Sequence, residues 1–291
     1  MILKPLLERK ETLMKKFENI LIASDIDGTV LWKSRYIHPR NFEKLRYFCE
    51  NGGHFSLATG RSHKDVFVIA EKLRPYINMP CILCNGSYLF DAVTEKILNP
   101  HYLNPIPLIE AFKAVKSKYD DVGMRAGIHR GFLCPEEDSV AIGFLKDSNL
   151  EHLAVVRPIN DFADEKIFKA VFVSEDAHKL LSLQSEFQEC YGKEFNITTS
   201  DKTILEILPA GVSKTTQFPY LKKLYPHTEL WCIGDFHNDV EMLRGADVAV
   251  CPENAVDEIK KICRLHMCHC KDGALAEMID AIEKKIDGYL I

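Results

Sequence analysis

Two carboxylates stand where an apolar segment of the chain ends. Asp25 and Asp27 follow the unbroken apolar run at residues 20–23 and precede Gly28 and Thr29. Such a run, bounded by polar residues, predicts a strand buried on both faces of a parallel sheet. Ligands of open α/β sheets bind outside the carboxyl ends of the strands, where these aspartates lie. Alone, the pair is compatible with metal binding, general acid catalysis or a polar turn.

Three later stretches carry reactive side chains in the same setting. Thr59 ends a second apolar segment, Lys214 lies in a turn after a third, and Asp235 and Asp239 follow a fourth. If these strand ends share one edge of a sheet, four carboxylates, one hydroxyl and one ammonium cluster there. Carboxylates repel one another in a low-dielectric cleft, so the cluster requires a cation, and hard oxygen ligands favour Mg²⁺. A Mg²⁺ site that keeps water ligands usually serves a phosphate.

The alternation of strand and helix signals predicts the elements that position these groups. Apolar residues at helical spacing between Pro39 and Gly52 predict a crossover helix, and Ser62 with Asp65 predicts the capped start of another. Strand, helix, strand, helix is typical of βαβ units, so we predict an α/β fold with a doubly wound, mainly parallel, Rossmann-like core.

The pattern changes over residues 87–203, where strand and helix signals mix without that alternation. We expect an inserted α+β cap there, a catalytic core formed by residues 1–86 and 204–291, and an N-terminal extension at residues 1–16. The last strand is expected at residues 246–251 and the closing amphipathic helix at residues 274–286.

Composition restricts the partners. The 291 residues are 46% hydrophobic and carry a net charge of −5, so the chain can bury a core and has no clustered basic excess for nucleic acid or an anionic membrane. Residues 1–16 lack the apolar stretch of a signal peptide, and no run approaches a membrane span of ~20 residues. The ten cysteines are expected to stay reduced in a cytoplasm. We expect a monomer or weak homo-oligomer that binds a small molecule.

Four motifs in order resemble those of the haloacid dehalogenase superfamily. They read Asp25-x-Asp27-Gly28-Thr29, Thr59-Gly60-Arg61, Lys214 and Gly234-Asp235-x-x-Asn238-Asp239. Within this superfamily, three features resemble those of the Cof-type sugar-phosphate phosphatases. They are the Asn85-Gly86 dipeptide, the long insertion and the Asp-x-x-Asn-Asp-x-x-Met-Leu form of the fourth motif. The resemblance covers nearly the whole chain from about residue 19, and it implies that the insertion closes over the core and recognises the leaving group.

The resemblance implies a role for each motif residue. Asp25 would be the nucleophile that forms an aspartyl-phosphate, and Asp27 the general acid and then base. Phosphoester hydrolysis is favoured because ion-pumping members carry Thr where this chain has Asp27. Thr59 would donate a hydrogen bond to the phosphoryl group and Lys214 would neutralise its charge. The other implied contacts are Mg²⁺ ligation by Asp25, the carbonyl of Asp27, Asp235 and Asp239, and substrate contacts by Gly28, Arg61, Asn85, Gly86 and Asn238.

Other readings of the sequence remain open at this point. A phosphosugar mutase, or a non-catalytic metabolite-binding module on the same fold, would share the motifs. A zinc site is a weaker hypothesis, built on Cys81, Cys84, Cys263, His266, Cys268, His269 and Cys270. Basic insertion residues that could meet an anionic substrate are Arg125, His129, Arg130, Lys166 and Lys169. Residues 248–255 depart from the Gly-Asn-Ala turn of the relatives, which affects a loop beside the site.

Overall fold

A computed structural model describes residues 15–289. In chain order, its first strands and helices are β1 (Ile20–Ser24), α1 (Pro39–Glu50), β2 (His54–Leu57), α2 (Val66–Ile69), β3 (Cys81–Leu83), β4 (Tyr88–Asp91) and β5 (Lys96–Leu98). The expected N-terminal extension falls mostly on residues 1–14, outside the described part. Within residues 15–289, no helix combines the length and apolarity needed to cross a bilayer.

Two further groups of elements complete the fold. The middle of the chain contains α3 (Pro105–Lys116), β6 (Gly123–Ile128), β7 (Gly131–Pro135), α4 (Ser139–Asp147), β8 (Ala154–Arg157), β9 (Lys169–Val173), α5 (Ala177–Tyr191), β10 (Phe195–Asp201) and β11 (Ile204–Pro209). The last part contains α6 (Phe218–Leu224), β12 (Glu229–Ile233), α7 (Val240–Arg244), β13 (Val248–Pro252), α8 (Asp257–Ile262), β14 (Leu265–Met267) and α9 (Ala274–Ile286).

The core is a five-stranded parallel sheet in the order β14-β13-β12-β1-β2. All five residues of β1 are buried, as expected for a strand with parallel neighbours on both sides. The order runs outward from β1 in two directions, which is the doubly wound arrangement that creates a crevice at the strand ends. The predicted fold class is confirmed.

Backbone hydrogen bonds continue past the strand ends and hold the reactive residues side by side. The Asp25 N–H donates to the Ile233 carbonyl (2.9 Å), which fixes the exit of β1 against the exit of β12. On the other side, the Thr59 N–H donates to the Ile82 carbonyl (2.9 Å) beyond β2. Three strand exits therefore deliver their side chains to one crevice.

The middle segment forms a second sheet, in the order β10-β11-β9-β6-β7-β8. Its pairs are antiparallel except β7 with β8. Helices α3 and α5 pack on one face, where alternate strand residues such as Met124, Phe172 and Ile207 join the core of this unit. The intervening residues of the same strands project from the opposite face, towards the strand ends of the parallel sheet.

Three expected features of the core need correction. Strand β11 was expected in the parallel core, but it pairs antiparallel with β9 and β10, because Leu205 and Ile207 pack in the core of the second sheet. Strands β4 and β5 were expected in the insertion, but they form an antiparallel sheet with β3. We therefore propose that the inserted unit spans about residues 99–209. A last strand, β14, also follows the one expected at residues 246–251.

Gly86 offers a test of how tightly the two halves of the core meet. Its φ is +93°, and a Cβ there would lie 1.9 Å from the Ser213 carbonyl oxygen, whereas exposed Gly211 has φ +71° and no atom within 4 Å of a Cβ. Both alanine variants share the left-handed strain, so Gly86→Ala should lower the free energy of unfolding by about 1–3 kcal/mol more than Gly211→Ala. Urea titration measures the difference, and equal losses would show that the Ser213 turn yields freely.

Candidate active site

A buried lysine joins two of the aspartates. Lys214 Nζ lies 2.7 Å from Asp25 Oδ1 and 2.6 Å from Asp239 Oδ1, and its side chain is fully buried. A buried ammonium is costly unless it is paired, and here two carboxylates share it. Burial alone would lower the pKa of Lys214, but Asp239 and Asp25 outweigh that effect and hold its pKa above the usual value. The lysine therefore stays charged.

The local sequence explains how Lys214 reaches the crevice. It begins a 3₁₀ turn, Lys214–Gln217, whose start is fixed because the Ser213 N–H donates to Thr216 Oγ1 (2.9 Å). At the end of the turn, Gln217 Nε2 donates to the Gly86 carbonyl (2.7 Å). The turn is thus tied to the segment that follows β3, and the lysine side chain reaches Asp25 at the exit of β1.

Asp235 is positioned by Thr29 in the turn after β1 and by Asp239 of its own motif. Thr29 Oγ1 donates to Asp235 Oδ1 (2.7 Å), and the N–H groups of Asp235 and Phe236 donate to Asp239 Oδ2 (2.9 and 3.1 Å). Asp239 thus uses one oxygen for the lysine and the other for the backbone. Within the described residues, no protein donor contacts Asp25 Oδ2 or Asp235 Oδ2, so these two oxygens are available to a ligand.

The charges and geometry of this cluster fit a divalent cation. Asp25, Asp235 and Asp239 each offer an oxygen within 4.8 Å of the others, and all three are buried. Burial, followed by the carboxylate of Asp239, raises the pKa of Asp235 to about 7. Burial also raises the pKa of Asp25, although Lys214 opposes it. Such mutual repulsion among oxygen donors is relieved by a hard cation such as Mg²⁺.

Asp27 lies at the mouth of the crevice, paired with Arg61. Arg61 Nε and Nη2 each approach one Asp27 oxygen at 2.8 Å, in a bidentate pair, and the Asp27 side chain is 50% exposed. Arg61 Nη1 is also 3.5 Å from Asp65. Burial lowers the pKa of Arg61, but adjacent Asp27 outweighs this and raises it overall. Asp27 is therefore held in place yet remains accessible to water and substrate.

A cavity of about 290 Å³ lies between the strand ends and the second sheet. Asp25, Asp27, Thr59, Arg61 and Asn238 line it from the core. The second sheet contributes side chains from its uncovered face, namely Arg125, Phe132, Lys169, Val171, Ile204 and Glu206. The cavity therefore has a charged floor and a mixed polar and apolar roof, a suitable enclosure for a small polar molecule.

The other expected substrate contacts are placed differently. Asn85 hydrogen-bonds to Glu206 and accepts from Asn238 Nδ2 (3.3 Å), so it links core and roof beside the cavity. Gly28 and Gly86 do not line the cavity. The Gly28 N–H donates to the Leu31 carbonyl (2.9 Å), and a Cβ there would lie 2.2 Å from Asp235 Oδ2. Glycine is required at both positions to let other groups pack closely, and the substrate contacts expected of Gly28 and Gly86 stay predictions.

Glu206 is a site residue that the sequence did not identify. It is buried, and it accepts from Lys169 Nζ (2.8 Å), Ser200 Oγ (2.7 Å) and Asn85. Its position in the apolar run of β11 suggested a core strand. A lone carboxylate in such a run, among alternating apolar residues, was the available signal.

Asn254, in the segment that departs from the relatives, also supports the site. Its Nδ2 donates to the Gly28 carbonyl (2.7 Å), and its Oδ1 accepts from the Cys270 N–H (2.9 Å). The amide thus braces the turn that follows β1. The departure at residues 248–255 preserves a supporting contact at this turn.

Several of the cysteine and histidine residues of the zinc hypothesis contact other groups. Cys84 Sγ lies 3.6 Å from the Tyr88 hydroxyl, and His266 Nε2 lies 3.0 Å from the Lys260 carbonyl. His269 stacks edge-on against Trp32 at 4.5 Å between ring centroids. Among the described residues, the three aspartates above form the group that could hold a metal.

The basic residues of the insertion divide into two sets. Arg125 and Lys169 line the cavity, and Lys169 pairs with Glu206. Arg130 pairs with Glu165, His129 contacts His63, and Lys166 lies over the Tyr102 ring, all away from the cavity lining. Two of the five sequence candidates thus reach the site.

Comparisons with known proteins identify the family and the fold of this chain. The family model described as haloacid dehalogenase-like hydrolase matches residues 22–279. A 5-amino-6-(5-phospho-D-ribitylamino)uracil phosphatase of Bacillus subtilis is 24% identical over 263 residues, covering 82% of this chain and 90% of the relative. A solved haloacid dehalogenase-like hydrolase from Bacteroides thetaiotaomicron is 25% identical with a TM-score of 0.74, covering 90% of this chain and 99% of that one. A solved subclass IIB sugar phosphatase shares the fold, with a TM-score of 0.76 at 17% identity, over 90% and 98% of the two chains.

Asp235 should make the stability of the metal-free protein depend on pH. Its pKa is raised in the folded state, so its stabilising effect is present at low pH and is lost as pH rises through about 7. In EDTA at pH 8, Asp235→Asn, which keeps the acceptor for Thr29, should have a free energy of unfolding at least about 1 kcal/mol above that of the parent. It should therefore unfold at a higher temperature, and this difference should shrink towards pH 5. Differential scanning fluorimetry measures this, with exposed Asp161→Asn as control. A destabilised Asp235→Asn at pH 8 would contradict it.

Proposed function

Because the chain belongs to the family of haloacid dehalogenase-like hydrolases, we propose that it is a Mg²⁺-dependent phosphatase of small phosphorylated metabolites, acting through an aspartyl-phosphate. The observation that carries this proposal is the state of Asp25. Its Oδ1 is held by Lys214, its Oδ2 has no protein donor among the described residues, and it faces a cavity also lined by Thr59. A fixed, buried carboxylate that faces such a cavity is a candidate nucleophile.

The proposed reaction has two halves. An Asp25 oxygen attacks phosphorus, the bond from phosphorus to the leaving oxygen breaks, and Asp27 donates a proton to that oxygen. A water molecule then attacks phosphorus and Asp27 accepts its proton, while the bond from phosphorus to the Asp25 oxygen breaks, which releases inorganic phosphate and regenerates the Asp25 carboxylate. Asp27 suits this exchange because it lies at the exposed mouth, where product and water pass.

The remaining residues position the phosphoryl group. Lys214 fixes the attacking carboxylate, and Thr59 presents its hydroxyl at the cavity floor. We propose that Asp25, Asp235 and the Asp27 carbonyl would hold Mg²⁺, with Asp239 orienting them. When bound, Mg²⁺ would neutralise phosphoryl oxygens in the transition state. The four carboxylates exceed Lys214 and Arg61 by two charges, which matches one divalent cation.

We propose sugar phosphates as the substrate class. The roof presents a buried carboxylate and a hydroxyl, Glu206 and Ser200, which are suited to sugar hydroxyls, and a structural neighbour with the same fold is a sugar phosphatase. The relative from Bacillus subtilis is named for a phosphoribityl substrate, which contains a polyol phosphate.

All ten cysteines are free thiols, which favours a reducing compartment such as the cytoplasm.

The first test is a panel of sugar phosphates, nucleotides and p-nitrophenyl phosphate, with and without Mg²⁺. We expect Mg²⁺-dependent phosphate release that Asp25→Asn abolishes, because the amide is not a nucleophile. Circular dichroism checks the fold, and Asp121→Asn, an exposed aspartate on the insertion, is the matched control. Full activity in Asp25→Asn would refute the nucleophile, and isomer interconversion without phosphate release would indicate a mutase instead.

Asp27 makes a second, separable prediction. Asp27→Asn should lower kcat for alkyl phosphates by about 10²–10⁴-fold, because their leaving oxygen needs a proton. The loss should be much smaller for formation of the phosphorylated enzyme from p-nitrophenyl phosphate, whose leaving group departs as the anion. Rapid-quench measurement of the first turnover compares the two. Equal losses on both substrates would assign Asp27 a structural role.

A further inference from the structure

One row of the roof sheet faces the reactive crevice. The strand register places Glu206 opposite Val171 on one side and Arg125 opposite Val171 on the other. Directly paired residues share a face of a sheet, and all three side chains line the cavity. Lys169 and Gly127 form the adjacent row, since they also pair directly.

The cations that line this cavity differ in their partners. Arg61 makes a bidentate pair with Asp27, and Lys169 lies 2.8 Å from Glu206. Arg125 makes no ion pair or hydrogen bond within the described residues, and its Nη1 is fully shielded without an acceptor. Its guanidinium carbon lies 5.6 Å from the centroid of the Phe132 ring. The roof therefore carries one cation, Arg125, that pairs with no carboxylate among the described residues.

A shielded guanidinium nitrogen without an acceptor is unfavourable, so it calls for a reason. Stacking on Phe132 orients the side chain but satisfies no N–H group. Burial lowers the pKa of Arg125, and the more distant Asp65 only partly offsets this. An anion that enters with the substrate would supply the missing acceptor, and a planar guanidinium suits carboxylate and phosphate oxygens.

The surrounding surface leaves room for such a group. Gly127 lies between Phe132 and Lys169 in the register, and a Cβ there would meet nothing closer than 3.7 Å. Such a Cβ would be in ordinary van der Waals contact with Lys169, and Gly127 itself lines the cavity. Gly127 lies beside Arg125 on the same face of the roof, opposite the floor that holds Asp25.

We propose that Arg125 binds a second anionic group, a carboxylate or a second phosphate, on the leaving portion of the substrate. This inference rests on the proposed function, since Asp25 and Thr59 would receive the phosphoryl group that is transferred. The second anion would lie against the roof, within reach of the guanidinium. Among the sugar phosphates and related compounds, the preferred substrates would then be those that carry a carboxylate or a second phosphate.

Matched substrates test the inference without knowledge of the natural one. Glycerol 3-phosphate and 3-phosphoglycerate differ by a hydroxymethyl group against a carboxylate, as do sorbitol 6-phosphate and 6-phosphogluconate at greater length. Fructose 6-phosphate and fructose 1,6-bisphosphate differ by a second phosphate. The ratio of kcat/KM, anionic over neutral member, is measured for each pair in the parent, Arg125→Gln, Arg125→Lys and Arg130→Gln.

We expect the kcat/KM ratio of the parent to be well above one for at least one pair. Which pair shows this ratio tells whether the second anionic group is a carboxylate or a phosphate. Arg125→Gln should reduce that ratio by about 10- to 100-fold, the effect of losing a charged hydrogen bond. Arg125→Lys should restore part of it because the charge returns. Arg130→Gln, which removes a cap arginine paired with Glu165 outside the cavity lining, should leave the ratio unchanged. A ratio near one in all pairs, or one insensitive to Arg125→Gln, would overturn the inference.

A binding measurement separates this inference from the proposed function. Calorimetry with Asp25→Asn and Mg²⁺ compares the same pairs without turnover. Adding Arg125→Gln should weaken binding of the preferred anionic member at least about tenfold more than that of its neutral partner. This difference without any hydrolysis by the parent would refute the phosphatase and retain the anion site. Hydrolysis without this difference would retain the phosphatase and refute the anion site.

Discussion

The contact of Lys214 with Asp25 and Asp239 is the interaction on which the site depends. One ammonium, fully buried, holds two carboxylates that come from opposite ends of the chain. Asp239 in turn accepts from the backbone of Asp235, and Asp235 accepts from Thr29 in the turn after β1. Removing the lysine would leave several buried carboxylates without compensation, which is far more costly than losing a surface ion pair. The arrangement fixes Asp25 while leaving one of its oxygens without a protein donor among residues 15–289.

The parallel sheet makes this arrangement possible because its strands end together. Asp25 and Asp235 leave neighbouring strands, β1 and β12, and a backbone hydrogen bond holds the two exits in register. The second sheet then covers the crevice with the face that its helices leave open. Asn85 links the two units through Glu206. In the proposed reaction, chemistry on the floor and recognition on the roof would be carried by different sheets, so leaving-group preference could change without altering the floor.

Much of this could be predicted from the sequence, because buried parallel strands and the residues at their exits leave a strong local signal. The run before Asp25 predicted β1, and the motif order predicted the partnership of Asp25, Lys214, Asp235 and Asp239. Long-range pairing was less visible. Strand β11 has the apolar residues of a core strand, and only its antiparallel partners show that it belongs to the second sheet. The steric demand at Gly28 was also not visible locally, because it comes from Asp235, more than 200 residues later in the chain.

The most direct test is a crystal structure of the full chain with Mg²⁺ and beryllium trifluoride, which forms a stable mimic of an aspartyl-phosphate. We expect the fluoride group to be bonded to the Asp25 oxygen that lacks a protein donor, with Lys214 still on the other oxygen. Mg²⁺ should be bound by Asp25 and Asp235. A beryllium trifluoride group attached to another residue, or none attached to Asp25 at saturating concentration, would contradict Asp25 as the phosphoryl acceptor.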